Sequence, residues 1–287
     1  MYIQELHESN IHKYQELTGI DRAEDISRYF FRGIACFDDP DEDSEDSLKA
    51  AMIWELKPED DDTDITSEIS WIYDTDSESL EAALDEYSQR ALEEDVVKTC
   101  FELAGLKDNE EDVLSFSGFN MSPAESRDLK VSLKDFQMLT ALRKKAPKYI
   151  QSIGSIDHEM FDQGLIKIMF NQNAGGLEDM YYLPKEWFDE KVSCCVMTDG
   201  LINGFLLVHR YPSGLLMPVF FYSAGADSRY NLLEMMRFSV HSASEEYPED
   251  TPVLIRRRNE SVRALTEKLF PGKQGKEVMK GERAEKE

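Results

Sequence analysis

Two short apolar segments, Ile69-Ser-Trp-Ile-Tyr73 and Pro218-Val-Phe-Phe-Tyr222, each run through a six-residue turn into an amphipathic helix. The turns read Asp74-Thr-Asp-Ser-Glu-Ser79 and Ser223-Ala-Gly-Ala-Asp-Ser228. A strand joined to a helix by so short a connection lays the helix back across its own sheet. The same motif twice in 287 residues points to a duplicated α+β unit. Two domains of about 140 residues each are large enough to bury separate cores.

The surrounding pattern repeats as well. In the first half Tyr2 to Leu6 reads as a strand, Ser9 or Asn10 as the cap of a helix through Leu17, and Ala23 to Phe31 as a second helix. Gly33 to Phe37, Lys49 to Leu56 and Glu68 to Tyr73 form an antiparallel meander. The helix from Leu80 places Leu80, Ala83, Leu84, Tyr87, Ala91 and Leu92 on one face. Strand Val96 to Phe101, a short helix from Glu110 to Phe116, and a closing hairpin or strand between Phe119 and Leu133 complete the half. In the second half a helix from Asp157 to Phe170 leads into strands at Ser193 to Thr198, Ile202 to His209 and Leu215 to Tyr222. A helix from Tyr230, strand Pro252 to Ile255 and helix Asn259 to Leu269 follow. The basic run Arg143-Lys-Lys-Ala-Pro147 marks the region between halves, and the expected domains are 1–137 and 138–287.

Composition narrows the function classes. Fifty-eight acidic against 32 basic residues give a net charge of -26, which repels nucleic acid and anionic membrane surfaces. No run approaches the roughly 18 apolar residues of a membrane helix. The N-terminus lacks the basic flank and apolar stretch of a signal peptide. Cys36, Cys100, Cys194 and Cys195 have no C-x-x-C spacing and lie in apolar runs, as reduced buried thiols of a cytoplasmic protein do. From Arg256 onward ten basic residues outnumber six acidic ones, so the end of the chain can dock on an acidic body.

The acidic runs Asp38 to Asp46 and Glu59 to Asp64 have three readings: solvated hairpin loops, a weak cation site, or a surface that attracts a cationic substrate. A calcium loop starting at Asp39 fails, because Ser44 and Ala50 stand where it needs glycine and glutamate. His7, His12, His158, His209 and His241 form no pair at metal-ligand spacing, and no metal is expected.

Asn259-Glu-Ser-Val-Arg-Ala-Leu-Thr-Glu-Lys-Leu-Phe270 resembles the N-x-x-A-x-x-L-Y-x-K-L-G segment that follows the fifth strand in the GNAT superfamily of acyltransferases. Asn259 stands at that segment's asparagine and Thr266 at its tyrosine. Leu114-Ser-Phe-Ser-Gly-Phe119 resembles the Y-x-x-x-G-F ending of the same segment. With the element order, the resemblance covers nearly the whole chain as a tandem pair. It implies two GNAT-like domains, each a mixed, mainly antiparallel sheet flanked by helices. It also implies acetyl-CoA-dependent transfer of an acyl group to an amine.

The family's turn after the fourth strand, Q/R-x-x-G-x-G/A, works because small residues let helix N-terminal amides approach the cofactor phosphates. Aligned on Leu84, the first half has Asp76 at the Gln/Arg position and Glu81 at the second small one. At about 4 Å and an effective dielectric near 20, a carboxylate beside a phosphate costs roughly 4 kcal/mol. That outweighs the ~0.3–1 kcal/mol of a helix dipole. Asp76 and Ser77 have the plainer reading of helix caps. The second half is the better cofactor half. There the resemblance places Phe221, Gly225, Ala226, Asp227, Ser228, Arg229 and Asn259 at cofactor-binding positions in a turn of ambiguous register; with Leu233 at the family leucine, Tyr230 fills the second glycine position and Asp227 faces the anion. Thr266 stands at the catalytic tyrosine position, and Tyr222, at the strand end beside the turn, is the candidate substitute.

Several alternatives stay open. Tyr222 is either a substitute general acid or an ordinary strand aromatic, and Arg256, Arg257 and Arg258 either offset phosphate charge or form a docking face. Glu68 and Glu186 are candidate bases by position. Two functions are compatible with the sequence: an acetyl-CoA-dependent N-acyltransferase acting on a cationic amine or basic peptide, and a noncatalytic GNAT-like protein that binds a partner or small molecule.

Overall fold

The computed structural model describes residues 1–39, 44–58, 64–170, 180 and 182–285. Parts of both acidic runs, 40–43 and 59–63, lie outside the described residues. In chain order the strands and helices are β1 (Tyr2–Glu5), α1 (Gln15–Thr18), α2 (Ile20–Ile26), β2 (Phe31–Phe37), β3 (Leu48–Pro58), β4 (Ile65–Asp74), α3 (Ser77–Glu93), β5 (Val96–Leu103), α4 (Asp108–Phe116) and β6 (Asn120–Glu125). There follow β7 (Asp128–Ser132), α5 (Leu133–Gln137), β8 (Ile150–Ser152), α6 (His158–Met169), β9 (Cys194–Thr198), β10 (Leu201–Arg210), β11 (Leu216–Ser223), α7 (Ser228–Glu246), β12 (Pro252–Arg256), α8 (Glu260–Leu269) and β13 (Glu277–Ala284).

One unit contains Met1–Ser126 together with Lys276–Glu287, the other Arg127–Gly275. The first is built on a seven-stranded sheet in the order β1-β2-β3-β4-β5-β13-β6, in which β4 and β5 alone run parallel. One face of that sheet packs Ile34, Met52, Trp54 and Ile69 against Leu80, Ala83, Leu84 and Tyr87 of α3. The other packs Ala35, Phe37, Ala51 and Ile53 against Ile11, Tyr14, Ala23 and Ile26. Alternation along β2 and β3 therefore feeds two cores. Each large apolar side chain removed from water contributes ~1.5–3 kcal/mol.

The second unit is built on a six-stranded sheet ordered β7-β12-β11-β10-β9-β8, in which only β11 and β12 are parallel. Leu206 and Val208 face Met235 of α7, while Phe205 and Leu207 face Phe161, Leu165 and Ile168 of α6. Each unit is thus a mixed, mostly antiparallel sheet with helices on both faces. Among the described residues, no helix is long and apolar enough to cross a membrane.

The chain ends depart from expectation. The closing segment of the first half is not a hairpin, because β6 pairs with β13 and β7 pairs with β12. Only Ser126 and Arg127 separate β6 from β7, yet the two strands join different sheets. In return β13, which the sequence reading left without an element, inserts between β5 and β6. Gly281 makes this insertion fit, since a Cβ there would lie 2.3 Å from the Phe101 ring. Arg283 donates to Ser117 O and Ser88 Oγ, and Thr99 donates to the Glu285 carboxylate. Each half therefore lends a strand to the other, and the division falls at 126/127 and 275/276 rather than at 137/138.

Smaller differences have local causes. The second helix stops at Ile26, and Phe31 opens β2 because its side chain is needed in the α2 core. Leu92 sits at the frayed end of α3 and is 53% exposed. The division also separates charge. Residues 127–275 hold 19 basic and 19 acidic residues, so the remaining 13 of 32 basic and 39 of 58 acidic residues place the whole -26 on the first unit. The basic end of the chain is itself divided between the units.

Candidate functional site

In both units the parallel strand pair separates toward its carboxyl ends, where the following helix begins. In the second unit β11 and β12 meet at one register pair, Leu216↔Val253, and β11 continues to Ser223 without a β12 partner. In the first unit β4 and β5 stay paired from Ile65↔Val96 to Ile69↔Phe101, leaving only Ser70 to Asp74 beyond. Ligands bind such open sheets at the carboxyl ends of diverging strands.

The turn after β11 is Ala224 to Asp227, with Gly225 at φ +89°, a conformation that glycine adopts without strain. Its start is fixed by the Ala224 amide, which donates to Asn203 O at 2.8 Å. Helix α7 has no side-chain cap and no acidic residue in its first turn. Ser228 N donates to Gly225 O at 3.2 Å, while the amides of Arg229 and Tyr230 have no acceptor among the described residues. Unsatisfied amides at a helix start carry the positive end of the dipole. Arg229 and Asp227 are both exposed, and Arg229 has no carboxylate partner among the described residues. Glu234, buried one turn farther on, pairs with Arg237 and draws the Tyr230 phenol, holding it above its usual range.

Lys167 of α6 was not anticipated from sequence. Its Nζ donates to Asn203 Oδ1 at 2.6 Å and to Ile202 O at 3.1 Å, and among the described residues it has no carboxylate partner. Because Asn203 also receives the Ala224 amide, Lys167 is tied to the start of the turn. Only the fold brings α6 and the turn together. Gly204 is equally specific, since a Cβ there would lie 2.6 Å from Tyr222 O.

The first unit's counterpart is filled. Asp76 caps α3, accepting from Ser79 N at 2.8 Å, and the Ser79 amide and hydroxyl with the Thr75 hydroxyl hold its carboxyl below the usual range. Asp74, at the end of β4, accepts from Lys107 Nζ at 3.1 Å and Asn109 Nδ2 at 3.1 Å. Lys107 also contacts Glu110 at 2.9 Å. These residues follow β5, so the cluster bridges the opening between β4 and β5. Burial and the neighbouring Glu110 carboxyl push Asp74 above the usual carboxylate range.

The other expected site residues are spread over several elements. Tyr222 faces the α6 side of β11, half-buried beside Phe220, and Phe221 faces the α7 side. Asn259 caps α8 through its Oδ1, which accepts Val262 N at 2.9 Å. Thr266 is buried, and its hydroxyl donates to Val262 O and Arg263 O at 2.9 Å. A proton donated into the helix is not poised for a leaving thiolate. Arg257 is 6% exposed and bonds the Arg127 carbonyl. Glu68 pairs with Lys57, and Glu186 pairs with His158 at 2.9 Å. Among the described residues, the partners of these two carboxylates lie away from the turn after β11.

No family model and no curated protein matches the sequence. Solved structures do match its shape. A tandem GNAT protein from the clavulanic acid biosynthesis pathway superposes with a TM-score of 0.60 at 10% identity, over 100% of this chain and 99% of that one. The fold is a tandem GNAT fold. A glucosamine N-acetyltransferase region of a fungal multi-domain β-N-acetylglucosaminidase gives a TM-score of 0.61 at 10% identity, covering 98% of this chain and 38% of that one. A protein from Enterococcus faecalis, described as a probable N-acyltransferase, gives 0.50 at 9% identity, over 99% and 72%. Within that fold, β4 with α3 and β11 with α7 are the corresponding strand-turn-helix elements of the two units.

Proposed function

We propose that this tandem GNAT protein is an acetyl-CoA-dependent N-acyltransferase whose cofactor site lies in the second unit. The observation that carries this reading is the amino end of α7. It is uncapped, preceded by a turn of small residues and flanked by Arg229 and Lys167, whereas Asp76 and the Asp74–Lys107–Glu110 cluster occupy the equivalent place in the first unit. The residues therefore fit a pyrophosphate group. Bound acetyl-CoA supplies a thioester-activated acetyl group.

The turn amides and Arg229 would hold the phosphates, and Phe221 on the α7 side and Tyr222 on the α6 side flank β11 where it leaves β12. Tyr222 is the one phenol of the predicted site on the strand itself, and it is assigned the transfer of a proton to the leaving sulfur. The confinement of the -26 charge to the first unit supports a cationic amine or basic peptide as acceptor. A neutral second unit spares the anionic cofactor that repulsion.

A second reading rests on Thr266 and Asn259, whose polar groups are spent inside α8. With them committed, the protein would bind a ligand without turnover. Thiol release from acetyl-CoA in the presence of a lysine-rich peptide separates the two. Turnover that falls by about 10²-fold or more in Tyr222→Phe supports the enzyme; binding without turnover selects the noncatalytic protein.

A further inference from the structure

The far wall of the opening in the second unit is β12, and its pairing is one-sided. It meets β11 only at Leu216↔Val253, near its start, but meets β7 at five pairs from Pro252↔Ser132 to Arg256↔Asp128. At the wide end of the opening, β11 offers β12 no ladder. There Arg257, which follows the strand directly, donates to the Arg127 carbonyl twice, from its backbone N at 3.1 Å and from Nε at 3.0 Å. The side chain is almost wholly buried, and its Nε is held by main chain. Strand β7 is itself anchored. Leu129 and Val131 lie in the core, and Asp135, at the cap that follows, is held by Ser132 N at 2.8 Å and Lys273 Nζ at 2.7 Å.

We propose that Arg257 is a positioning residue: it clips the carboxyl end of β12 to β7 and so fixes how far β12 stands from β11, which sets the affinity of the second unit for acetyl-CoA. This rests on the cofactor reading given above. The physical basis is that a strand with a full antiparallel ladder on one edge and a single parallel pair on the other is placed by its ladder. Loss of the guanidinium removes the Nε donor to the Arg127 carbonyl and leaves a buried void at the end of that ladder.

The test uses full-length Arg257→Met and Arg257→Lys, with amide hydrogen exchange and acetyl-CoA calorimetry on each. Arg257→Met is expected to speed exchange of the Leu254 to Arg256 amides at least about tenfold while β10 amides stay protected, as a local opening does. Acetyl-CoA affinity falls about tenfold in step. Arg257→Lys, whose ammonium can still donate to the carbonyl, recovers part of both. Unchanged β12 exchange overturns the clip, and faster exchange with wild-type affinity overturns the positioning role. A wild-type chain that binds no acetyl-CoA overturns the functional reading instead, and the exchange arm still decides whether Arg257 holds β12.

Discussion

The Asp76 carboxylate accepts the Ser79 amide at 2.8 Å, while the Asp227 carboxylate, at the matching place before α7, accepts no amide of its helix. The two turns come from copies of one motif, and this single hydrogen bond separates them. A carboxylate that satisfies the first-turn amides also places a negative charge where a phosphate would sit. Asp76→Ala should therefore lower stability by ~1 kcal/mol, and Asp227→Ala should leave it unchanged. The Asp76 pKa is lowered in the folded state, so its contribution is present above the unfolded carboxylate pKa and is lost as pH falls through the folded value. Chemical denaturation of wild type and Asp76→Ala at neutral and strongly acidic pH should show the difference vanish only in acid.

Asp227 is exposed and uncommitted beside the proposed anion site. Asp227→Asn removes that repulsion while keeping the shape. Acetyl-CoA affinity should rise about threefold to tenfold at low salt, with a smaller gain in high salt. A fall in affinity would mean that Asp227 contacts the ligand favourably.

Gly204 faces the end of β11 so closely that a Cβ would stand 2.6 Å from Tyr222 O and 2.9 Å from Ser223 Cα. Both obstacles are main chain, which cannot rotate away. Gly204→Ala should cost ~1–3 kcal/mol and displace the start of the turn, weakening acetyl-CoA binding even at temperatures where the protein is folded. Thermal melts and calorimetry on the same samples check both effects.

The thiols make a reagent-level test of the two cores. Cys36, Cys194 and Cys195 are fully buried, and burial pushes the Cys36 and Cys195 thiols up to about 12 and Cys194 well above its usual value. Cys100 is half-buried. At mildly alkaline pH one thiol should react with a thiol reagent in the native protein and all four after denaturation. More than one fast native thiol would contradict the packing of β2 or β9.

The repeat was legible because its signals are local. Apolar alternation followed by a helix with Leu80, Ala83, Leu84 and Tyr87 on one face needs no partner to be recognised, and those four side chains are buried. Which strand lies beside which is not local information. Asp128–Ser132 and Glu277–Ala284 are short and half polar, so their patterns fit either sheet. What sends β13 between β5 and β6 is the space above Gly281 for the Phe101 ring, a relationship spanning 180 residues. The site divides in the same way. Gly225, Asp227 and Arg229 were readable from the turn, whereas Lys167 and Gly204 matter only because α6 and β10 pack beside it. Asn259 and Thr266 matched a family segment, yet their side chains serve the helix that carries them.

The most direct measurement is calorimetric titration of the intact chain with acetyl-CoA, alongside Arg229→Asp and Asp76→Ala. The asymmetry of the two turns predicts one cofactor per chain, binding lost with Arg229→Asp and kept with Asp76→Ala. No heat at millimolar acetyl-CoA, two equivalents per chain, or loss of binding with Asp76→Ala alone would contradict it.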